Sequence, residues 1–286
     1  MPYGYEKFRL KNGISPNTVV HEVQLIEHLL DAVSRYHNGP VEPHEIRPSD
    51  IQRFFKEQRD KGLKDSTINR KLVFIRKWFD YMWQIGKIPV DFMPKFKLPE
   101  KLDLTPADIH LDYSELLNRQ EDVLKSEKLA LNAKILFLLY MRGLRVRDMT
   151  AIDVSRVQNF GHKLRLQVDK KDGYTRPLDF MGSEIPIIQK GIALAYDRGT
   201  PFLLASKVKD QYTEFQMGSL SDYTEALSEF LGLPVRSGDF RFAFVRHLYA
   251  EEGKNVEEIQ ETLGITLESA ARILKEALTR VKPNPG

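Results

Sequence analysis

Apolar residues recur every three or four positions along most of the chain, the spacing of a helix with one buried face. Ser15-Pro16-Asn17-Thr18 reads as a helix start; Val19, Val23, Ile26, Leu29, Leu30 and Val33 follow, and Asn38-Gly39-Pro40 ends the run. A second start at Pro48-Ser49-Asp50 buries Ile51, Phe54 and Phe55 and stops at Gly62. A third, at Asp65-Ser66-Thr67, carries Ile68, Leu72, Ile75, Phe79 and Met82 as far as Gly86 and Pro89. Residues 15–92 are therefore expected to form a helical unit, after a polar lead-in over residues 1–14. Pro94, Pro99 and Pro106 stand among charges, so residues 93–107 read as an extended linker, since proline lacks an N–H and restricts its predecessor.

In the remainder, residues 108–286, the period changes part of the way along. Helices are expected near 112–127 and 129–142. The alternation Leu164-Arg165-Leu166-Gln167-Val168, a turn holding Asp172-Gly173, and Thr175-Arg176-Pro177-Leu178 then predict a β-hairpin. Helical spacing returns near 184–197, 217–231, 240–252, 255–262 and 266–280. The expected class is mainly α with a small β-hairpin or sheet (α+β), in two domains.

Hydrophobic residues make up 42% of the chain, enough to build buried cores. There is no cysteine, which excludes disulfides, thiolate metal sites and a cysteine nucleophile. The seven histidines show no paired ligand spacing, so no metal is expected. The N-terminus has no apolar segment of signal-peptide type, and runs such as Ile135 to Met141 fall far short of the roughly 20 residues that span a bilayer. A cytoplasmic, nucleoid-associated protein is the expectation.

Net charge is only +3, but its distribution is uneven: residues 53–97 hold twelve Lys/Arg against five Asp/Glu. Arg70, Lys71, Arg76 and Lys77 lie on or beside the third helix, either as a solvated face or as a row for backbone phosphates. Residues 251–268 are acidic through Glu251, Glu252, Glu257, Glu258, Glu261 and Glu268. Such a face is expected to point away from DNA, or to pair with a basic surface of another subunit.

Three segments in fixed order carry a family resemblance. Tyr140-Met141-Arg142-Gly143-Leu144-Arg145-Val146-Arg147-Asp148 resembles the helix–Gly-Leu-Arg–helix segment of tyrosine recombinases, the phage integrase family. The basic hairpin around Lys171 and Arg176 is the second. Phe244-Val245-Arg246-His247-Leu248-Tyr249, followed by Leu263-Gly264, resembles the His-x-x-Arg-His box and the Leu-Gly-His segment. Upstream, Thr67-Ile68-Asn69-Arg70 through Tyr81 resembles the last helix of the integrase core-binding domain.

The resemblance implies a two-domain clamp around double-stranded DNA. It implies phosphodiester transfer in which a tyrosine attacks, two arginines hold the non-bridging oxygens, and a lysine or histidine protonates the leaving 5′ oxygen. By the same matching Arg145 and Arg246 are the clamp arginines, Lys171 (with Lys170 as competitor) the hairpin lysine, and His247 an auxiliary group. The two remaining histidine positions hold Ala243 and Ile265, and the nucleophile position holds Leu274. No tyrosine follows Tyr249.

The expectation is therefore a sequence-specific DNA-binding protein that has lost catalysis, with neither cofactor nor small-molecule ligand. A regulator or repressor of a mobile element such as a prophage or plasmid fits that description. DNA contacts are expected from Arg70, Lys71, Arg76, Lys77, Arg145, Lys170, Lys171, Arg176, Arg241 and Arg246, and self-association through the C-terminal helix. The alternatives are an active recombinase or relaxase-like enzyme with a displaced or trans-supplied tyrosine, and an accessory partner of an active recombinase.

Overall fold

A helix, α1 (Tyr5–Lys11), stands where the sequence predicts a polar lead-in. Its side chains explain both its presence and its poor legibility. Tyr5 is fully buried, and its hydroxyl donates to Glu22, 3.1 Å away. The Arg9 guanidinium donates to both oxygens of the same carboxylate, at 2.7 and 2.9 Å. Glu22 is itself wholly inaccessible, so the segment is held by a buried ion pair rather than by an apolar stripe.

The computed structural model describes residues 2–169 and 175–282. The chain divides into two compact units, Met1–Thr105 and Pro106–Gly286. In the first unit α2 (Pro16–Tyr36), α3 (Pro48–Asp60) and α4 (Asp65–Gln84) follow α1. Ser15 caps α2 by accepting from the Thr18 amide, with Pro16 in the first turn, where its missing N–H costs nothing. Ile26, Leu29, Ile51, Phe54, Ile75 and Trp78 meet in the core. Part of the expected linker belongs to this core too. Met93 and Phe96 are buried in it, and Arg76 donates to the Phe96 carbonyl at 3.1 Å.

The second unit begins with α5 (Tyr113–Asn118) and α6 (Gln120–Lys125), where the pattern predicts one helix. The break falls at Arg119, whose guanidinium donates to the carbonyls of Leu231 and Phe230. Next comes α7 (Leu131–Met141), buried at every residue from Ile135 to Met141, as expected of a helix apolar all round. The short α8 (Val146–Met149) leads to a three-stranded antiparallel sheet of β1 (Val157–Asn159), β2 (Lys163–Asp169) and β3 (Thr175–Met181). The pairing of β2 with β3 is the predicted hairpin; its turn lies outside the described residues. Leu164, Leu166 and Val168 point inward, while Arg165 faces Asp179 across the strands.

After α9 (Glu184–Asp197), a hairpin of β4 (Ala205–Val208) and β5 (Gln211–Glu214) stands where no strand is predicted. Four helices complete the described chain: α10 (Met217–Leu231), α11 (Ser237–Ala250), α12 (Val256–Leu263) and α13 (Leu267–Arg280). Helix α13 packs against α11 and α12 of its own unit and buries Ala270 and Ala277. The residues after it are tied to the start of the unit: the Ile109 amide donates to the Arg280 carbonyl, and the Lys282 amide to the Ile109 carbonyl. Among the described residues no helix is long and apolar enough to cross a membrane.

Candidate functional site

The site is built around a tight turn at the end of α7. Gly143 has φ of +65°, and a Cβ added there would lie 2.6 Å from the Phe244 ring. Only glycine meets both demands. The turn delivers Arg145 to the start of α8, where its guanidinium grips Asp148 at 2.8 and 3.2 Å. The carboxylate is almost wholly buried, whereas the arginine side chain remains 28% exposed. Asp148 thus fixes the fork from behind, while part of the arginine side chain meets solvent.

Arg241, on α11, reaches the same turn and donates to the Gly143 carbonyl at 2.6 Å. Arg145 and Arg241 line one cavity of about 250 Å³. Its apolar wall is Phe242, Ile265 and Ile273, and Arg272 of α13 supplies a third guanidinium.

The cavity corrects the sequence matching. Arg241, not Arg246, stands with Arg145. Arg246 lies about 140° round the axis of α11 from Arg241, at 3.6 residues per turn, and is not part of the cavity wall. The pair Arg246-His247 copies the letters of the family box, which is why sequence matching selects it. Burial and the bond to Gly143 select Arg241 instead. With Arg241 as the arginine, the His-x-x-Arg-His spacing moves the two histidine positions to Gly238 and Phe242. Ala243 is then an ordinary core residue, 2% exposed. His247 packs at a tilt against the Tyr113 ring with centroids 4.7 Å apart and places Nε2 3.6 Å from Glu252, contacts within its own unit. Ile265 keeps its assigned place, in the cavity wall. Leu274 packs against the core and is not among the cavity-lining residues, whereas its neighbour Ile273 is.

Behind the cavity the positive charge is dense. Arg176 is buried and donates to the Arg142 carbonyl at 2.7 Å, so it is not a surface contact. Burial, then the like charges of Arg241 and Arg142, push its guanidinium down to about 9. Burial, then Arg145, push Arg241 down to about 10. Both stay charged at neutral pH, but at a cost that a nearby anion would relieve. Arg142 is fully committed: it donates to the carbonyls of Asp179 and Leu138 and to Glu184, and its guanidinium lies over Phe180. Lys170 and Lys171 lie outside the described residues.

In the first unit the expected contact residues differ in availability. Arg70 is exposed with its guanidinium 5.5 Å from the centre of the Phe74 ring; the Lys77 ammonium lies 5.7 Å from the same ring and 4.0 Å from Glu22. Lys71 is half-buried and donates to Gln58, and burial pushes its ammonium down. Arg76 holds the chain after α4 through Phe96, which makes it structural.

Residues 5–85 match the phage integrase N-terminal SAM-like domain. Tyrosine recombinase XerC of Vibrio parahaemolyticus serotype O3:K6 is 23% identical over 266 residues, covering 91% of this chain and 82% of the relative. Tyrosine recombinase XerD of Listeria monocytogenes serotype 4b is 22% identical over 265 residues, covering 89% and 86%. Among solved structures, the Tn1549 transposon integrase in complex with circular intermediate DNA superposes with a TM-score of 0.64 at 15% identity, covering 96% of this chain and 97% of that one. A lambda integrase dimer bound to a COC′ core site gives 0.64 at 16% identity, covering 94% and 75%. The structural matches establish the fold, and the relatives run nearly the whole length of the chain through both units. Together with the Gly-Leu-Arg turn and its paired arginines, they make this chain similar to tyrosine recombinases through both of its units.

Proposed function

We propose that this protein binds double-stranded DNA in the manner of the tyrosine recombinases it resembles, holds a backbone phosphate between Arg145 and Arg241, and does not itself supply the nucleophile that cuts the strand. One observation carries the reading: the two guanidiniums share a cavity whose described wall holds no tyrosine, and Ile265 and Ile273 stand there beside Thr266, Ser269 and Glu276. An arginine pair can still hold a phosphate in its ground state, because each fork donates parallel hydrogen bonds and keeps its charge. An isoleucine can neither attack phosphorus nor exchange a proton. Arg70 and Lys77, both exposed on α4, are the first-unit residues best placed to meet the phosphate backbone. DNA complexes of the solved integrases support the choice of partner. Occupying a site without cutting it is the action of a regulator, and a mobile element is the setting in which this family usually works.

A second reading is favoured by the names of the relatives, which are tyrosine recombinases. In it a tyrosine from another copy, or a displaced one such as the half-exposed Tyr249, makes the attack. One experiment separates the two. Purified protein is mixed with a library of duplex fragments, and bound DNA is recovered across a salt series. A parallel sample is run on a denaturing gel. Selective recovery without a covalent band supports binding alone; a covalent band supports the second reading, and mapping the attached residue identifies the nucleophile.

A further inference from the structure

Helix α13 is the element on which the family places its nucleophile, and here it turns a polar stripe toward the cavity. Ser269, Arg272, Ile273 and Glu276 recur at intervals of three and four, so they share one face, and all four line the cavity. Thr266 caps the helix by accepting from the Ser269 amide, and the two hydroxyls are 2.9 Å apart. The cavity therefore meets the positive end of α13, two hydroxyls and three guanidiniums.

One of the charges there has no partner among the described residues. Asp148 is taken by Arg145. Glu276, the only carboxylate among the described residues of the cavity wall, lies 3.7 Å from Arg280 and pairs with it. Arg272 is exposed and makes no hydrogen bond or ion pair with any of the described residues, although Glu276 is one turn away. Arg272 thus adds a charge to a wall where Arg145 already presses on the buried Arg241.

We infer that Arg272 is a third ligand of the bound phosphate, so that the helix which would deliver a nucleophile delivers a cation instead. The group recognised is a tetrahedral phosphate with one or two negative charges. Arg145 and Arg241 take its oxygens from the core side, and Arg272, with the Thr266 and Ser269 hydroxyls, takes them from α13. Phosphate binding then also fastens α13 over the cavity. This rests on the phosphate-clamp reading above but adds a residue that reading does not need.

The test uses the full chain, its Arg272→Ala and Arg272→Lys variants, and Arg145→Ala as a reference. Two probes distinguish a free phosphate from a DNA phosphate: inorganic phosphate at matched ionic strength, read as a rise in melting temperature over chloride, and a selected duplex, read as affinity across a salt series. Arg272 is exposed, so its replacement should leave the fold intact, and melting in chloride checks this. The expected result is that Arg272→Ala abolishes most of the phosphate-induced rise. It should also weaken duplex binding about tenfold and lower the salt slope by about one unit. Arg272→Lys should recover part of both effects. If Arg272→Ala matches the unaltered protein with both probes while Arg145→Ala does not, Arg272 is no ligand and the two-arginine clamp stands. If the protein responds to inorganic phosphate through Arg272 but binds no duplex, the third-ligand assignment holds and the DNA reading falls. Absence of response to either probe overturns both.

Discussion

Asp148 holds Arg145 by two hydrogen bonds, at 2.8 and 3.2 Å, from a position almost closed to solvent. The carboxylate does not line the cavity itself, yet it decides which way the arginine fork points. Asp148→Asn keeps the shape but removes the charge and offers a donor where Arg145 needs an acceptor. Breaking a charged hydrogen bond to a buried partner costs about 1.5–3 kcal/mol. The variant should melt lower and bind duplex at least fivefold more weakly, measured by calorimetry and by titration at fixed salt. Loss of stability without loss of binding would show that Arg145 is held by other contacts.

Arg241 and Arg246 provide a contrast on a single helix. Arg241→Ala removes a guanidinium from the cavity and leaves the Gly143 carbonyl without its donor. Duplex affinity should fall about tenfold or more, the worth of one charged hydrogen bond. Arg246→Ala changes a residue away from the cavity and should alter affinity less than twofold. Titrations of both variants against the same duplex decide the matter. A larger effect at Arg246 would restore the assignment suggested by the letters of the family box.

That contrast shows where reading the sequence stops. The hairpin of β2 and β3, the starts of α2, α3 and α4, and the turn at Gly143 are all legible, because caps, turn glycines and hydrophobic period act locally. The choice between Arg241 and Arg246 is not local. Both lie in an aromatic-rich helix, and only packing against α7 and α13 shows which one reaches the Gly143 turn. Burial of Arg176 is invisible for the same reason: a basic hairpin reads as a surface until the carbonyl of Arg142 claims one of its members. Helix α1 escapes the pattern because Tyr5 is its only fully buried residue and an ion pair does the rest.

The pairing of Glu22 with Arg9 and Tyr5 makes the N-terminal segment part of the first core. Glu22→Gln would leave a buried guanidinium without its counter-charge. Removing one partner of a buried pair costs about 3–5 kcal/mol. The side chain of Arg9 is 12% exposed, so water can answer part of that loss. A fall in stability of about 2 kcal/mol or more is expected in denaturant titration, and deletion of residues 1–12 should do at least as much harm. An unaltered midpoint for the deletion would return α1 to the status of a lead-in.

The Arg165–Asp179 pair across β2 and β3 predicts an acid-sensitive sheet. Arg165 donates to both carboxylate oxygens at 2.6 and 2.8 Å, and Lys163 lies 3.2 Å away. The hydrogen bonds from Arg165, aided by Lys163, hold the Asp179 carboxyl down at about 2. A carboxylate with a lowered folded-state value stabilises the fold above its ordinary value of 3.8 and loses that contribution as pH falls toward 2. The pair is about a third exposed, so solvent screening limits its worth to under about 1 kcal/mol. Asp179→Asn should therefore lower stability slightly at pH 7, and the gap from the unaltered protein should close between pH 4 and pH 2. A gap that persists at the lowest pH would mean the variant disturbs packing rather than charge.

Restoring a nucleophile tests the cavity most directly. Ile273 and Leu274 both pack against the core, but only Ile273 also lines the cavity. A phenol at position 273 would stand on the same wall as Arg145 and Arg241, within reach of a phosphate held by them. Its oxygen would form a bond to phosphorus as the bond to the 5′ oxygen breaks, and the proton the phenol loses would pass through water to the leaving 5′ oxygen. A phenol at position 274 would start from a residue that is not on that wall. Ile273→Tyr should therefore yield protein covalently attached to a nicked duplex, seen on a denaturing gel, and Leu274→Tyr markedly less. Arg241→Ala in the Ile273→Tyr background should abolish the band, because one missing donor to the developing charge costs about 10²–10³ in rate. A band from Leu274→Tyr alone would mean that α13 turns about its axis when DNA binds, bringing the next residue of the helix to the phosphate.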